Sequence, residues 1–196
     1  MQQTDNFKDT VILVDADYVD GVAFDLTVNF ERMLMRRIPF ADLAQWLVCV
    51  ALDGGLLAED AESQQIQVIF LHDEKCSALQ YFAPGKIAED IDGKAFRDAR
   101  MGEFLMSAVR KELLAGNDLF VQCTEALLGS EAVKRVVLVP NMEQYGAALK
   151  SLLASAGRRK EVTLLAMQPE AGRGFQSEIL GYSLMQAMGI RSEELI

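Results

Sequence analysis

Short apolar runs, separated by longer amphipathic stretches, form the basic pattern of this chain. Residues 11–14 make the first run, which ends at Asp15, and later runs cover residues 66–71, 134–139 and 161–167. Continuous β-branched runs of this length are typical of strands that are buried on both faces. We therefore predict a parallel sheet whose central strand is the first run.

The stretches between these runs carry apolar side chains at the three- and four-residue spacing of helices. The predicted helices cover residues 25–37, 40–53, 94–115, 142–156 and 175–188. We also expect a turn at Asp20-Gly21, a helix stop at Gly116-Asn117, an extended piece over residues 119–123 and a short helix over 124–132. The order of these elements predicts a three-layer α/β/α fold with a mainly parallel sheet.

Length and composition fit a single domain. The chain has 196 residues, of which 51% are hydrophobic and 24% charged, a balance that is typical of globular proteins. We expect one α/β domain over residues 1–196, with its core at about 10–168 and a C-terminal helix at about 175–189.

Cysteine and histidine usage bears on compartment and on metal chemistry. Cys49, Cys76 and Cys123 are odd in number and far apart, which favours free thiols in a reducing cytoplasm. His72 is the only histidine and there is no Cys-x-x-Cys pair, which argues against a zinc site of the His/Cys type. Apolar runs are shorter than the ~20 residues of a membrane span, and the N-terminus does not resemble a signal peptide. We expect a cytoplasmic protein with no membrane association.

The net charge of -10 disfavours RNA as a partner, because phosphate backbones bind through local cations. The basic groups that could form a local patch are Arg36-Arg37, Arg97 with Arg100, Lys134-Arg135 and Arg158-Arg159-Lys160. We interpret them as solvated surface groups.

Acidic and amide side chains follow the predicted strands. Asp15 and Asp17 end the first strand, Asn141 and Glu143 follow the strand over 134–139, and Glu103 lies near the start of the helix predicted over 94–115. If these residues meet at the carboxyl edge of the sheet, their charges repel unless a cation lies among them. Mg²⁺ and Mn²⁺ favour such oxygen ligands, and two such ions can drive phosphodiester cleavage. The alternative is that these residues are ordinary turns and helix caps.

The same features resemble the NYN/PIN-like nuclease superfamily over residues 10–168. The match consists of the strand ending at Asp15, the acidic segment around Glu103, the turn from Asn141 to Glu143 into a helix, and the strand after Gly157. This resemblance implies a divalent-metal-dependent nuclease with Asp15, Glu103 and Glu143 as catalytic residues.

The metal ligands that the resemblance implies are Asp15, Asp17, Asn141 and Glu143, with Mg²⁺ or Mn²⁺ as the ion. The superfamily has aspartates at the positions of Asn141 and Glu143. The acidic site is therefore degenerate, and the resemblance also allows this chain to be an inactive relative of the nucleases.

A non-catalytic, self-associating module of the same fold is the alternative, with a homodimer formed through Tyr182, Met185 and Met188 of the last helix. A nuclease site needs the carboxylates of Asp15, Glu103 and Glu143 within ~4–6 Å of one another, whereas scattered carboxylates favour the interaction module.

Asp15-x-Asp17-x-Val19 also fits haloacid-dehalogenase-like phosphatases, with Asp15 as nucleophile and Asp17 as general acid. These enzymes also need a serine or threonine after a later strand, a lysine and a late acidic pair. Leu71-His72-Asp73 supplies no serine or threonine, and Asn141 with Glu143 only half fills the acidic pair. A response regulator would need a lysine after residues 162–167, and the sequence has none there. A dinucleotide-binding fold would need a glycine-rich turn after the first strand, and residues 15–21 do not form one.

Overall fold

The computed structural model describes residues 6–58, 62–111, 119–157 and 159–196. Its strands are β1 (Thr10–Asp15), β2 (Ala41–Asp42), β3 (Gln65–His72), β4 (Phe82–Ala83), β5 (Ala95–Asp98), β6 (Gly102–Arg110), β7 (Arg135–Val139), β8 (Glu161–Ala166) and β9 (Gln176–Ile179). Seven of them form one sheet in the order β5-β6-β3-β1-β7-β8-β9, and every neighbouring pair is parallel except β5 and β6. The short strands β2 and β4 pair separately.

Helices cover both faces of this sheet. They are α1 (Ala16–Leu34), α2 (Leu43–Asp53), α3 (Leu119–Gly129), α4 (Met142–Ala156) and α5 (Leu180–Ala187). Buried side chains of α1, α2 and α5 share one hydrophobic cluster with the sheet, and those of α3 and α4 share a second cluster. The prediction of a three-layer α/β/α fold with a mainly parallel sheet is therefore confirmed.

Strand β1 lies in the middle of the sheet, between β3 and β7, and all six of its residues are buried. Ile12 and Val14 pack into the cluster with α1, whereas Val11 and Leu13 pack into the cluster with α4. Successive side chains of a strand point to opposite faces, so a strand covered on both sides needs an unbroken apolar run. This is why the first run of the sequence is continuous rather than alternating.

The order of the parallel strands places a crevice beside β1. Counted along the chain, the six parallel strands lie in the order third, second, first, fourth, fifth, sixth, which is the doubly wound arrangement. The order reverses between β1 and β7, and ligands of open α/β sheets bind at the carboxyl ends of the strands at this point. Asp15 is the last residue of β1 and Asn141 follows β7, so the crevice coincides with the predicted acidic edge.

The helix predicted over residues 94–115 is wrong in the described part of the chain, where β5 and β6 form an antiparallel pair. Gly102, Phe104 and Met106 are buried in alternation, which is the two-residue period of a strand. Pairing of β6 with β3 outweighs the helical spacing of the same apolar side chains. The stop predicted at Gly116-Asn117 lies outside the described residues.

Other boundaries also differ from the prediction. Residues 119–123 are the first part of α3 rather than an extended piece, and the last helix begins at Leu180 because Gln176–Ile179 pairs with β8. The turn predicted at Asp20-Gly21 lies inside α1, which begins directly after β1. The helix predicted over 142–156 is confirmed with the same bounds, between the cap Asn141 and Gly157.

No helix among the described residues is both long and apolar enough to cross a membrane.

Gly21 gives a direct test of the continuous helix α1. A Cβ added at Gly21 meets no atom within 4 Å, and the residue lies in the helix interior. We expect Gly21→Ala to stabilise the protein by about 0.5–1 kcal/mol, because alanine loses less backbone entropy in a helix than glycine does. Chemical denaturation measures the change.

The contrasting variant is Gly54→Ala, whose Cβ would lie 2.3 Å from Val137 Cγ2 and should therefore destabilise the protein. A loss of stability in Gly21→Ala would contradict the helix and support a turn at this position.

Candidate functional site

Asp15 is the centre of the candidate site at the crevice beside β1. It is the last residue of β1 and the N-cap of α1, and only 1% of its surface is exposed. Its Oδ1 accepts hydrogen bonds from the backbone N–H of Tyr18 at 3.3 Å and from Lys111 Nζ at 2.8 Å. Its Oδ2 accepts one from the Tyr145 hydroxyl at 2.7 Å. A buried carboxylate requires such partners, and both oxygens of Asp15 have them.

Lys111 supplies the positive charge of this site. It directly follows β6, and its backbone N–H donates to the carbonyl of His72 at 2.7 Å. Its Nζ lies 2.8 Å from Asp15 Oδ1, 3.4 Å from Asp17 Oδ2 and 3.9 Å from Asp73 Oδ1. Burial disfavours the ammonium, but the hydrogen bond to Asp15 and the charges of the three carboxylates outweigh it and raise the pKa of Lys111. Lys111 therefore stays charged among these carboxylates.

Tyr145 connects Asp15 to the end of β7. Its hydroxyl donates to Asp15 and accepts a hydrogen bond from the backbone N–H of Asn141 at 2.9 Å. Burial and then the negative charge of Asp15 raise the pKa of the phenol well above its usual value, so the hydroxyl keeps its proton and remains a donor. The Asn141 side chain caps α4 by accepting from the backbone N–H of Gln144 at 3.2 Å.

Asp17 connects the end of β3 to the same site through a hydrogen bond. Its Oδ2 accepts from the backbone N–H of Asp73 at 2.7 Å, just after the end of β3. Burial, and then the charges of Glu143 and Asp15, raise the pKa of Tyr18. Glu143 lies in the first turn of α4, which begins just after β7. Asp15, Asp17, Asn141 and Glu143 thus all lie at the carboxyl edge, as the sequence predicts.

Glu103 lies elsewhere, and the expectation that it faces the same edge is wrong. It is near the start of β6, paired with Gln65 at the start of β3, and its carboxylate accepts from Gln65 Nε2 at 2.8 Å. Asp15 pairs with Leu71, six residues further along β3, which corresponds to about 20 Å. The error follows from the helix predicted over 94–115. In a parallel strand, an early residue lies at the amino edge.

The oxygen ligands expected for a divalent ion at the carboxyl edge are already engaged with other groups of the chain. The ammonium group of Lys111 already contacts Asp15 and Asp17, and the side chain of Asn141 already caps α4. Within the part of the chain that the structure describes, no group of three or more His, Cys, Asp or Glu side chains is placed to hold a metal ion.

Comparison with known protein families gives a match over almost the whole chain. A model described as "Family of unknown function (DUF6621)" matches residues 4–195 of the chain. The chain belongs to this family. No curated protein and no solved structure matches this DUF6621 chain at a significant level.

Sequence reasoning missed Lys111 and Tyr145. The DUF6621 chain carries Lys111 at the end of a strand for which helical spacing predicts a helix, and the alternation of Gly102, Phe104 and Met106 is the signal that could have found it. Tyr145 is one of the apolar positions of the helix over 142–156, and its 6% exposure is that of a core residue. The signal that could have found its role is the spacing from the N-cap Asn141. Residues four apart lie on the same face of a helix, so the Tyr145 side chain lies beside the end of β7.

Two other groups of the DUF6621 chain have strongly shifted pKa values, which can mark functional sites. Burial, followed by the charge and hydrogen bonding of Asp17, raises the pKa of Cys76 to about 12, so its thiol is a poor nucleophile. Burial, followed by the charge of Glu178, raises the pKa of Asp53 to about 6.

The first prediction for the site concerns the pair of Lys111 and Asp15. Lys111→Met leaves the Asp15 carboxylate buried without a cation, and we expect a loss of about 3–5 kcal/mol in the free energy of unfolding. Asp15→Asn should cost about 1–3 kcal/mol, because Lys111 keeps two carboxylates. The double variant should cost at least about 1 kcal/mol less than the sum. Urea unfolding measures all three.

Lys134→Met is the matched control, since Lys134 is 79% exposed and lies 3.9 Å from Asp9. It should change stability by less than about 0.5 kcal/mol. Additive effects of the two site variants would show that the charges of Lys111 and Asp15 are not coupled.

The second prediction concerns Asp53. Its pKa is 3.8 in the unfolded chain and about 6 in the folded protein, so the folded state binds the proton more tightly. Stability should therefore fall as the pH rises from about 4 to 6, and Asp53→Asn should remove this loss. At pH 7 we expect the variant to be more stable by about 1 kcal/mol, reduced from the full shift because the side chain is only partly buried.

Thermal unfolding from pH 4 to 8 measures the difference between the two proteins. Glu178→Gln should move the transition to lower pH, because it removes the second cause of the shift. Parallel pH profiles for wild type and Asp53→Asn would refute the assignment.

Proposed function

We propose that this DUF6621 chain is a divergent, non-catalytic relative of the NYN/PIN-like nucleases that acts as a binding module. The observation that carries the proposal is the position of Lys111, whose Nζ contacts Asp15 at 2.8 Å and Asp17 at 3.4 Å. A lysine there supplies the charge that a divalent ion would otherwise bring to this edge. Unlike a metal ion, an ammonium group cannot coordinate and activate water.

The state of Asp15 also favours a structural role. A metal ligand or a nucleophile must offer an oxygen lone pair to an incoming group. Three of the about four acceptor sites of the Asp15 carboxylate are already used, by Lys111, Tyr18 and Tyr145, and the residue is 1% exposed.

The distribution of the acidic residues points in the same direction. Glu103 lies about 20 Å away along the sheet, so the three expected catalytic carboxylates do not converge. Scattered carboxylates are the feature expected of an interaction module.

Self-association through α5 gains no support from the contacts of that helix. Met188 is fully buried and Met185 packs against the core, so Tyr182, which is 71% exposed, is the one residue of the expected surface that is open. The proposed partner is therefore a different molecule rather than a second copy bound through α5.

A phosphatase of the haloacid-dehalogenase type is the second candidate. The observation in its favour is the contact of Lys111 with Asp15. Enzymes of this type need a lysine near the nucleophilic aspartate, and the sequence pattern alone does not show which lysine could take that position. The burial of Asp15 opposes it. Release of p-nitrophenol from p-nitrophenyl phosphate, measured with Mg²⁺ and lost in Asp15→Asn, would favour this candidate over a binding module.

A metal titration tests the main proposal. We expect Mn²⁺ and Mg²⁺ to leave the melting temperature of the wild type unchanged, because Lys111 already neutralises the site. Lys111→Ser leaves Asp15 and Asp17 without their cation, so Mn²⁺ should raise the melting temperature of this variant. The rise should disappear in Lys111→Ser/Asp15→Asn, which serves as the matched control. Thermal unfolding followed by fluorescence measures all three proteins.

A nuclease assay with single-stranded RNA and Mn²⁺ complements the titration. Wild type and Asp15→Asn should give the same background. Cleavage that depends on Asp15, or a wild-type melting temperature that rises with Mn²⁺, would restore the metal-dependent nuclease.

A further inference from the structure

A groove of about 1330 Å³ lies at the amino edge of the sheet, opposite the site around Asp15. Its walls include the starts of three neighbouring strands, at Arg135 of β7, Glu161 of β8 and Gln176 of β9. The ends of α2 and α4 close it at Gly55 and Gly157. Pockets for single drug-sized molecules are typically ~300–1,000 Å³, so this groove has room for a longer ligand.

Basic side chains gather in this groove although the chain as a whole is acidic. The lining includes five of them, which are Lys134, Arg135, Arg159, Lys160 and Arg173. Two acidic residues, Glu131 and Glu161, also line it. The fold thus brings together two basic groups that the sequence pattern presents as separate solvated groups, and adds Arg173. Arg158 lies outside the described residues.

Two of these cations hold the walls in place. Arg135 forms an ion pair with Glu161 and donates from Nη1 to the carbonyl of Gly55 at 2.8 Å. Lys160 Nζ donates to the carbonyls of Ser130 and Val133, just after α3. These contacts neutralise Glu161 and join the starts of β7 and β8 to α2 and α3.

The other three cations are available to a ligand. Arg159 and Arg173 are exposed and form no ion pair with any described residue. Lys134 is 79% exposed and lies 3.9 Å from Asp9. Exposed guanidinium groups form paired hydrogen bonds with carboxylates and phosphates.

Arg173 is carried by a closely packed loop. Gly174 has a φ of +88°, and a Cβ there would lie 2.2 Å from the backbone oxygen of Leu153. A Cβ on Gly172 would lie 2.5 Å from the ring of Phe175. Both glycines allow the loop to lie directly against α4 and against this ring, which fixes the backbone that presents Arg173.

We propose that this groove binds an acidic peptide segment of a partner protein. The inference rests on the proposed function as a binding module and names its partner. Carboxylates of a short segment would pair with Lys134, Arg159 and Arg173, and such contacts stay within the groove. A long nucleic acid would extend over the rest of a surface whose net charge is -10 and be repelled there.

The aromatic content of the groove also favours a peptide over a single-stranded nucleic acid. Bases in such complexes stack on exposed aromatic rings. Phe175 is the one aromatic residue among the described lining residues, and its ring lies against Gly172 and packs into the core cluster with α4.

Fluorescence anisotropy with a fluorescein-labelled oligo-glutamate peptide tests the inference. The titration uses the full chain in EDTA at low salt. We expect saturable binding that weakens as salt is added, and at least a tenfold loss of affinity in Arg159→Glu/Arg173→Glu. The matched control is Arg32→Glu/Arg37→Glu, which changes the net charge equally but lies at the end of α1 and just after it. This control should bind within about twofold of the wild type.

The other outcomes each overturn the inference. Equal binding by wild type and Arg159→Glu/Arg173→Glu would remove the groove as the site, as would the absence of any peptide binding. Tighter binding of an oligo-uridine of equal charge, lost in the groove variant, would assign the groove to nucleic acid. Wild-type dimers in sedimentation that dissociate in the groove variant would assign it to a second copy.

Because EDTA is present throughout, these results do not depend on the metal titration of Lys111→Ser. If the peptide does not bind but Mn²⁺ leaves the wild-type melting temperature unchanged, only the inference about the groove fails. If Mn²⁺ raises the wild-type melting temperature but the peptide binds in EDTA, only the proposal for the carboxyl edge fails.

Discussion

The ion pair between Asp15 and Lys111 is the interaction on which the carboxyl edge depends. Asp15 ends the most buried strand of the sheet, where an unpaired carboxylate would cost several kcal/mol. Lys111 reaches it from the end of β6, across the intervening strand β3, and Tyr145 reaches it from α4. A single carboxylate is thereby linked to elements on both sides of the central strand and to one helical layer.

The rest of the edge is built around this pair. Asp15 also caps α1, so the position of the first helix and the charge of the site have the same origin. Asp17 in the first turn of α1 accepts from the backbone after β3, and Tyr145 binds the backbone after β7. The ends of the three central strands are thus connected by side chains where their backbone ladders stop. Such a network favours a fixed edge over an open site.

Elements that are buried on both faces, or bounded by clear caps, could be predicted from the sequence. The first strand is evident because a short, unbroken, β-branched run that stops at a carboxylate is typical of a buried parallel strand, and the helix after Asn141 is evident because a cap and a glycine bracket it. Residues 94–110 are ambiguous, since their apolar positions satisfy both periods and the strand forms through pairing with distant residues. That single error had two consequences for the site: it placed Glu103 there, and it concealed Lys111.

The separation of charge between the two edges has a consequence for encounters in solution. Carboxylates gather where the central strands end, and cations gather where three of the strands begin. These two groups of side chains contribute a charge separation along the strands, superimposed on a negative net charge. In the field of an approaching charged body, such a charge separation favours some orientations of the molecule before any contact forms. An acidic surface would meet the groove first, at a rate that depends on ionic strength.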